Sequence, residues 1–209
     1  MDSDYEALKK VIDYIQSKYE EIALQWKDYK VSKFNLKQKR VSDITIGQDI
    51  YMSIVAYTQL LNKLSADISV DLSSICSQRV TARVKAPNSI EYKIQSYKGP
   101  KHENGEIPIN KCLNDLFGVR IILNSQLTFQ SIKEFVRDKC PYVNKCIDSS
   151  KGEYKATHIY FKLDNYSFPW ELQVWNQCDE NANMFSHRKY KQEYTLWEKE
   201  NKEGGILND

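Results

Sequence analysis

An α/β fold is predicted for this chain: a mixed sheet of about five strands flanked by helices, behind an N-terminal helical layer. Three observations predict it. Residues 1–75 carry apolar positions at helical spacing, residues 76–200 interleave short alternating runs with helical stripes, and two of those runs, near 155–163 and 168–175, are close enough for a hairpin.

Taken in order, Leu8, Val11, Ile12, Ile15, Tyr19, Ile22 and Trp26 fall at steps of three and four between Tyr5 and about Tyr29, the stripe of an amphipathic helix. The segment 27–40 then gathers Lys27, Lys30, Lys33, Lys37, Lys39 and Arg40 against the single acid Asp28, with Tyr29 and Phe34 between them. Basic residues interleaved with aromatics suit a phosphate backbone and unstacked bases; a solvated basic connector is the other reading. A second stripe, Ile50, Ile54, Tyr57, Leu61 and Leu64, ends at a Ser/Asp-rich turn over 65–74. Val80, Ala82 and Val84 alternate with Thr81, Arg83 and Lys85, as in a half-buried strand with cations on its polar face. Pro87 opens a short helix through Tyr97, and the glycines and prolines of 98–110 predict a loop. Phe117 to Leu123 reads as a strand, 127–138 as a helix with Phe129, Ile132, Phe135 and Val136 inward, and 142–147 as a short strand. Strands over 154–163 and 168–175 follow, then a helix over 179–199 bearing Met184, His187, Tyr190, Tyr194 and Trp197.

Composition excludes several classes. The hydrophobic fraction is 41% and the charged fraction 28%, values of a globular protein, and no apolar run approaches the roughly 20 residues of a spanning helix. No secretory leader is recognisable, so a cytoplasmic location is expected. The five cysteines, Cys76, Cys112, Cys140, Cys146 and Cys178, contain no C-x-x-C pair and read as free thiols. A net charge of +2 means that any nucleic-acid role must come from local patches. The glycine-rich phosphate loops, the nucleophile elbow and the H-E-x-x-H zinc motif are all absent.

What remains is cations and carboxylates. Alternation puts Glu171 and Gln173 on one face of the last strand and Leu172 and Val174 on the other, while Asp115 precedes a second apolar strand. Two carboxylates at neighbouring strand ends can share a divalent cation; each can equally be a surface residue or a salt-bridge partner. Arg83, Lys85, Lys93 and Arg120 could neutralise a triphosphate whose oxygens magnesium bridges.

Five motifs in order carry a family resemblance over roughly residues 79–191. Arg83-Val84-Lys85 with Ser89-Ile90 and Lys93 resembles the R-x-K-x-x-x-S-I-x-x-K stretch of RelA/SpoT-type alarmone synthetases. Asp115 to Arg120 is similar to their D-x-x-G-x-R, Tyr154 to His158 to their Y-R-S-x-H, Glu171-Leu172-Gln173 to their E-x-Q, and His187 falls where they have a helical histidine. The resemblance implies a magnesium-dependent pyrophosphokinase on a nucleotidyltransferase-like sheet, moving the β,γ-pyrophosphate of ATP to a ribose 3′-hydroxyl. It implies that Arg83 and Arg120 sandwich adenine, that Lys85, Lys93 and Ser89 serve the ATP phosphates, and that Asp115 ligates magnesium. Glu171 would hold the metal or take the hydroxyl proton. Tyr154 would stack on the acceptor base, with Lys155, His158, Gln173 and His187 around it.

The departures fall near the acceptor side: Lys155 where arginine is usual, Trp175 where many members have a basic residue, and Ser186 in place of a glutamate before His187. No room is seen for the C-terminal helices of the family tetramer or for a hydrolase domain. These features resemble the toxin branch, whose members pyrophosphorylate the 3′-terminal adenosine of tRNA and are paired with a separately encoded antitoxin. The segment 27–40 would then track the acceptor stem. A synthetase acting on GDP, GTP or an adenosine analogue stays open beside it, as does a non-catalytic nucleotide- or RNA-binding module, which the presence of Asp115, Tyr154 and Glu171 together disfavours.

Overall fold

The computed structural model describes residues 2–143 and 145–188. Helix α1 (Asp2–Asp28) buries the whole expected stripe from Leu8 to Trp26. Helix α2 (Asp49–Ile75) continues straight through 65–74, where the sequence predicts a turn. Ile68 and Leu72 prolong its apolar stripe into the core. The serines do not break it because their hydroxyls donate to carbonyls one turn back, Ser69 to Ser65 at 2.7 Å and Ser73 to Ser69 at 2.8 Å. Thus satisfied, they no longer compete with the helix.

Strand β1 (Arg79–Val84) leads into α3 (Pro87–Lys98), which starts on Pro87, where a missing N–H costs nothing. The predicted loop over 98–110 is more ordered than expected: a 3₁₀ turn (Pro100–Gly105) and a short helix, α4 (Ile109–Cys112), fill it. It is tied to the segment after α1 by Val41 N–H to Ile107 O and Ile109 N–H to Lys39 O, both at 3.0 Å. Strand β2 (Phe117–Leu123) precedes α5 (Phe129–Lys139), whose N-terminus is capped by the Thr128 hydroxyl accepting from Ser131 N–H at 3.1 Å. Phe129, expected inward, is only half-buried, with the Lys133 ammonium 5.6 Å from its ring centre. Strands β3 (Lys145–Asp148), β4 (Thr157–Phe161) and β5 (Trp170–Asn176) follow, then a 3₁₀ turn (Gln177–Asp179) and helix α6 over 180–188. The predicted helical positions Tyr190, Tyr194 and Trp197 lie outside the described residues. Strand β4 is shorter than predicted: Tyr154 lies before it, in an isolated bridge with Lys151.

The five strands run β1-β2-β5-β4-β3, with β2 and β5 parallel at the centre and every other neighbour antiparallel. One face is the core. Phe117, Val119 and Ile121 of β2 and Trp170, Leu172 and Val174 of β5 are buried there, and α1 and α2 cover them. Tyr19 meets Trp170 edge-on at 5.4 Å, Trp26 meets Tyr57 at 5.0 Å, and Trp170 Nε1–H donates to Tyr57 Oη at 2.9 Å. No described helix is long and apolar enough to cross a membrane.

The opposite face is polar and in register. One row reads Arg83, Gly118, Glu171, Tyr160 across four strands, and the next reads Thr81, Arg120, Gln173, His158. Gly118 matters here for room, because a side chain between Arg83 and Glu171 would fill the floor of this face; a Cβ there would stand 4.0 Å from Arg83 Nε.

Candidate active site

A cavity of about 900 Å³ opens on the polar face, between α3, the segment before β4, and α6. The volume is within the range of small-molecule sites. Of the predicted site residues, Arg83, Lys85, Ser89, Lys93, Asp115, Arg120, Tyr154, His158, Glu171, Gln173 and His187 line it. Lys155 does not. Its side chain is exposed, and its backbone N–H and C=O are held by the Asn183 amide at 2.8 Å each. Lys151 and Ser149 line the wall there instead.

On one side Asp115 sits between two ammonium groups, Lys85 Nζ at 2.8 Å and Lys93 Nζ at 2.9 Å, all three side chains 15% exposed or less. Lys85 follows β1 directly and Lys93 lies in the second turn of α3, so the carboxylate staples strand end to helix. Burial pushes the Asp115 pKa up, but Lys93 and Lys85 outweigh it and hold the carboxyl well below the usual range. Burial, together with Lys93 and Arg83, keeps Lys85 below the ordinary lysine value. Ser89, in the first turn of α3, also faces the cavity, and that helix N-terminus favours negative charge.

On the other side Glu171 faces three donors, two on Oε1 and one on Oε2. Tyr160 Oη–H reaches Oε1 at 2.9 Å, His158 Nδ1 lies 2.9 Å from the same oxygen, and Gln173 Nε2 donates to Oε2 at 2.8 Å. Burial raises the Glu171 pKa, yet the His158 and Gln173 contacts bring it below its ordinary value. An ionised carboxylate only accepts, so His158 Nδ1 carries a proton toward it, while Nε2 lies 3.0 Å from Tyr154 Oη. The result is a chain from Trp175 Nε1–H through Tyr154 and His158 to Glu171.

Both carboxylates are therefore salt-bridge or hydrogen-bond partners, the alternative the sequence left open, and both also face the cavity. Among the described residues no group of three or more His, Cys, Asp or Glu side chains is arranged to hold a metal by itself. The donor set, Asp115 and Glu171, suits magnesium, which takes one or two carboxylates and completes its shell with substrate phosphates and water.

Arg120 lies between the two sides. Its Nη2 and Nε reach Gln173 Oε1 at 3.1 and 3.3 Å, and Nη2 lies 3.2 Å from His187 Nε2. Burial and the nearby Arg83 charge lower its pKa to about 10. His187 is held down to about 4 by burial and by Arg120 and Arg83, so at neutral pH it is an uncharged acceptor for Arg120.

The match to known proteins decides the family. The region found in RelA / SpoT proteins matches residues 82–195, more than half of the 209-residue chain and all of the predicted site residues that line the cavity. The chain belongs to the RelA/SpoT family. Its enzyme class is that of a pyrophosphokinase. No curated protein matches it. Among solved structures it is similar to small alarmone synthetase 1 from Bacillus subtilis, at 21% identity over 70% of this chain and 82% of that one, with a TM-score of 0.45. It is also similar to a GTP pyrophosphokinase family protein from Streptococcus pneumoniae, at 16% identity over 74% and 94%, TM-score 0.46. For small alarmone synthetase 2 from Bacillus subtilis the values are 19%, 69%, 82% and 0.41.

The basic segment is not part of the RelA/SpoT cavity: none of Lys27, Lys30, Lys33, Lys37, Lys39 and Arg40 lines it. Lys33 lies over the Trp26 ring and donates to the Tyr29 carbonyl, and to that of Val31 at 3.2 Å, so it caps the end of α1. Lys27 pairs with Asp164 at 3.6 Å, and Arg40 is half-buried against Pro108. Lys30, Lys37 and Lys39 are exposed.

Sequence reasoning missed Tyr160. Its strand face was legible, but its place opposite Glu171 follows from the β4–β5 register, and the eight residues over 162–169 are too many for loop length to set that register.

Proposed function

We propose that the chain is a magnesium-dependent pyrophosphokinase that uses ATP and transfers its β,γ-pyrophosphate to the 3′-hydroxyl of the terminal adenosine of tRNA, blocking translation. One observation carries the donor half of this reading: a single cavity holds a cationic wall, Lys85, Lys93, Arg83 and Arg120, facing a buried carboxylate network on Glu171. The new bond joins the acceptor O3′ to the β-phosphorus, the bridging α,β-oxygen leaves with AMP, and the hydroxyl proton must be taken up.

Lys85, Lys93 and Ser89, beside the N-terminus of α3, bind the phosphates. Arg83 and Arg120 hold the adenine. Asp115, with Glu171, would hold magnesium, which when bound offsets the charge that develops on the phosphoryl oxygens. Glu171, kept ionised, is available to receive the proton, and the His158–Tyr154 chain fixes its orientation. Tyr154 offers a ring face to the acceptor base, with Gln173 and His187 beside it and Lys151 on the wall.

Support for tRNA as acceptor comes from the exposed Lys30, Lys37 and Lys39, which give a polyanion a surface outside the cavity. Such an enzyme acts as a toxin and needs a neutralising partner protein. A second reading, transfer to GDP or GTP as an alarmone synthetase, is favoured by one feature of that same segment. Lys33 and Lys27 are already engaged within the fold, so the surface is smaller than the sequence implies.

The deciding experiment is acceptor competition. The full chain, magnesium and γ-labelled ATP are offered GDP, GTP and deacylated tRNA together, and products are separated by size. Label on tRNA that disappears when the terminal adenosine is removed supports the first reading; label on guanosine nucleotides alone establishes the second. Transfer to none of them refutes both.

A further inference from the structure

Trp175 is fully buried, yet it is not part of the hydrophobic core under the helices. It sits on the cavity face of β5, two residues beyond Gln173, and its ring lies flat under Arg120: the guanidinium carbon is 3.6 Å from the ring centroid. The rest of Arg120 is held in its own plane. Gln173 Oε1 and His187 Nε2 accept from its edge, and the His187 ring in turn packs on Trp175 at 5.4 Å. Among the described residues no carboxylate is within ion-pair distance of Arg120; its partners are a π face, an amide oxygen, a neutral imidazole and, at 3.8 Å from Nη1, the Met184 sulfur. A planar cation held this way keeps its full charge and presents its second face to the cavity.

We infer that Trp175 is a positioning residue for ATP binding: it supports Arg120 from below as the base layer of a stack whose free face takes the adenine, and through its Nε1–H to Tyr154 it links that subsite to the acceptor side. The inference rests on the ATP-binding reading above. Both contacts together need an indole, a flat π face with an N–H at its edge. An aliphatic side chain offers Arg120 no negative π face, and a lysine or arginine would add a third positive charge beside Arg120 and Arg83. Phenylalanine keeps the face and loses only the N–H.

The test is calorimetric binding of the α,β-methylene analogue of ATP, with magnesium, to the full chain and its variants, each checked for native circular dichroism and melting. W175F binds within about twofold of wild type, whereas W175M, whose flexible apolar chain fills part of the space without a π face, binds about tenfold more weakly, in the range of a desolvated cation–π contact. Because Trp175 acts through Arg120, W175M has no further effect in an R120A background. In turnover assays W175F keeps the KM for ATP and raises that for the acceptor, since only the Tyr154 link is lost. A folded W175M that binds like wild type, or an undiminished loss in the R120A background, overturns the role of Trp175 while leaving the ATP site intact. A wild-type chain that binds no analogue overturns the ATP reading and this inference with it.

Discussion

Replacing Asp115 by asparagine isolates the buried charge cluster on which the phosphate side of the cavity is built. Asp115 accepts from Lys85 at 2.8 Å and Lys93 at 2.9 Å, with side-chain exposures of 15%, 10% and 13%. Removing one partner of a buried pair leaves an uncompensated charge, at a cost of about 3–5 kcal/mol. In D115N the new amide oxygen can still accept one of the two bonds, so the low end, about 3 kcal/mol, is expected. With a urea m-value near the upper end of the usual range, this moves the unfolding midpoint down by about 1 M. Inorganic tripolyphosphate should restore much of the loss, because the two freed ammonium groups then have an anion; saturation at about a hundred times Kd returns about 2.7 kcal/mol. Urea titrations followed by circular dichroism, with and without tripolyphosphate, measure both effects. An unfolding midpoint for D115N equal to wild type would refute the view that Asp115 holds two buried lysines together. Wild-type turnover by D115N would refute the proposal that it holds magnesium.

Three further outcomes are expected. The double variant K30E/K37E should lower transfer to tRNA severalfold and flatten its salt dependence, with transfer to a free nucleotide unchanged; equal loss on both acceptors would mean that the segment is structural. The G105A variant should cost at least about 1 kcal/mol more than G152A. Both glycines have positive φ, +85° and +58°, but only at Gly105 would a Cβ meet backbone, Ser42 N at 2.9 Å, and equal melting temperatures would argue against that packing. For His187, whose pKa is held down to about 4 chiefly by burial, the unfolded chain binds a proton near pH 6.5 and the folded chain does not. Its contribution is therefore complete above that pH and is lost as pH falls toward 4. The stability difference between wild type and H187N should shrink from pH 7 to pH 5, and parallel pH curves would contradict the assignment.

The helical stripes and strand alternations were legible because burial on one face imposes a period on local sequence, and Glu171 and Gln173 were assigned to their face by that period alone. Where it failed, the cause was a contact distant in sequence. The serines of α2 looked like turn formers because a local rule cannot see that Ile68 and Leu72 have a core to bury in. The loop over 98–110 looked irregular because its order depends on Ser42, Lys39 and Val41, more than sixty residues earlier in the chain.

The candidate site divides in the same way. The types and order of its residues, cations on β1 and α3, a carboxylate before β2, a tyrosine and histidine before and on β4, and a carboxylate on β5, are properties of the sequence. Their roles toward one another are not. That Asp115 is clamped by two lysines, that Tyr160 stands opposite Glu171, that Trp175 lies flat beneath Arg120, and that Lys33 caps a helix while Lys30 faces solvent all depend on strand register and packing. Local sequence chooses which face a side chain points from; only the assembled sheet brings charges from separate strands and helices close enough for one to change the chemistry of another.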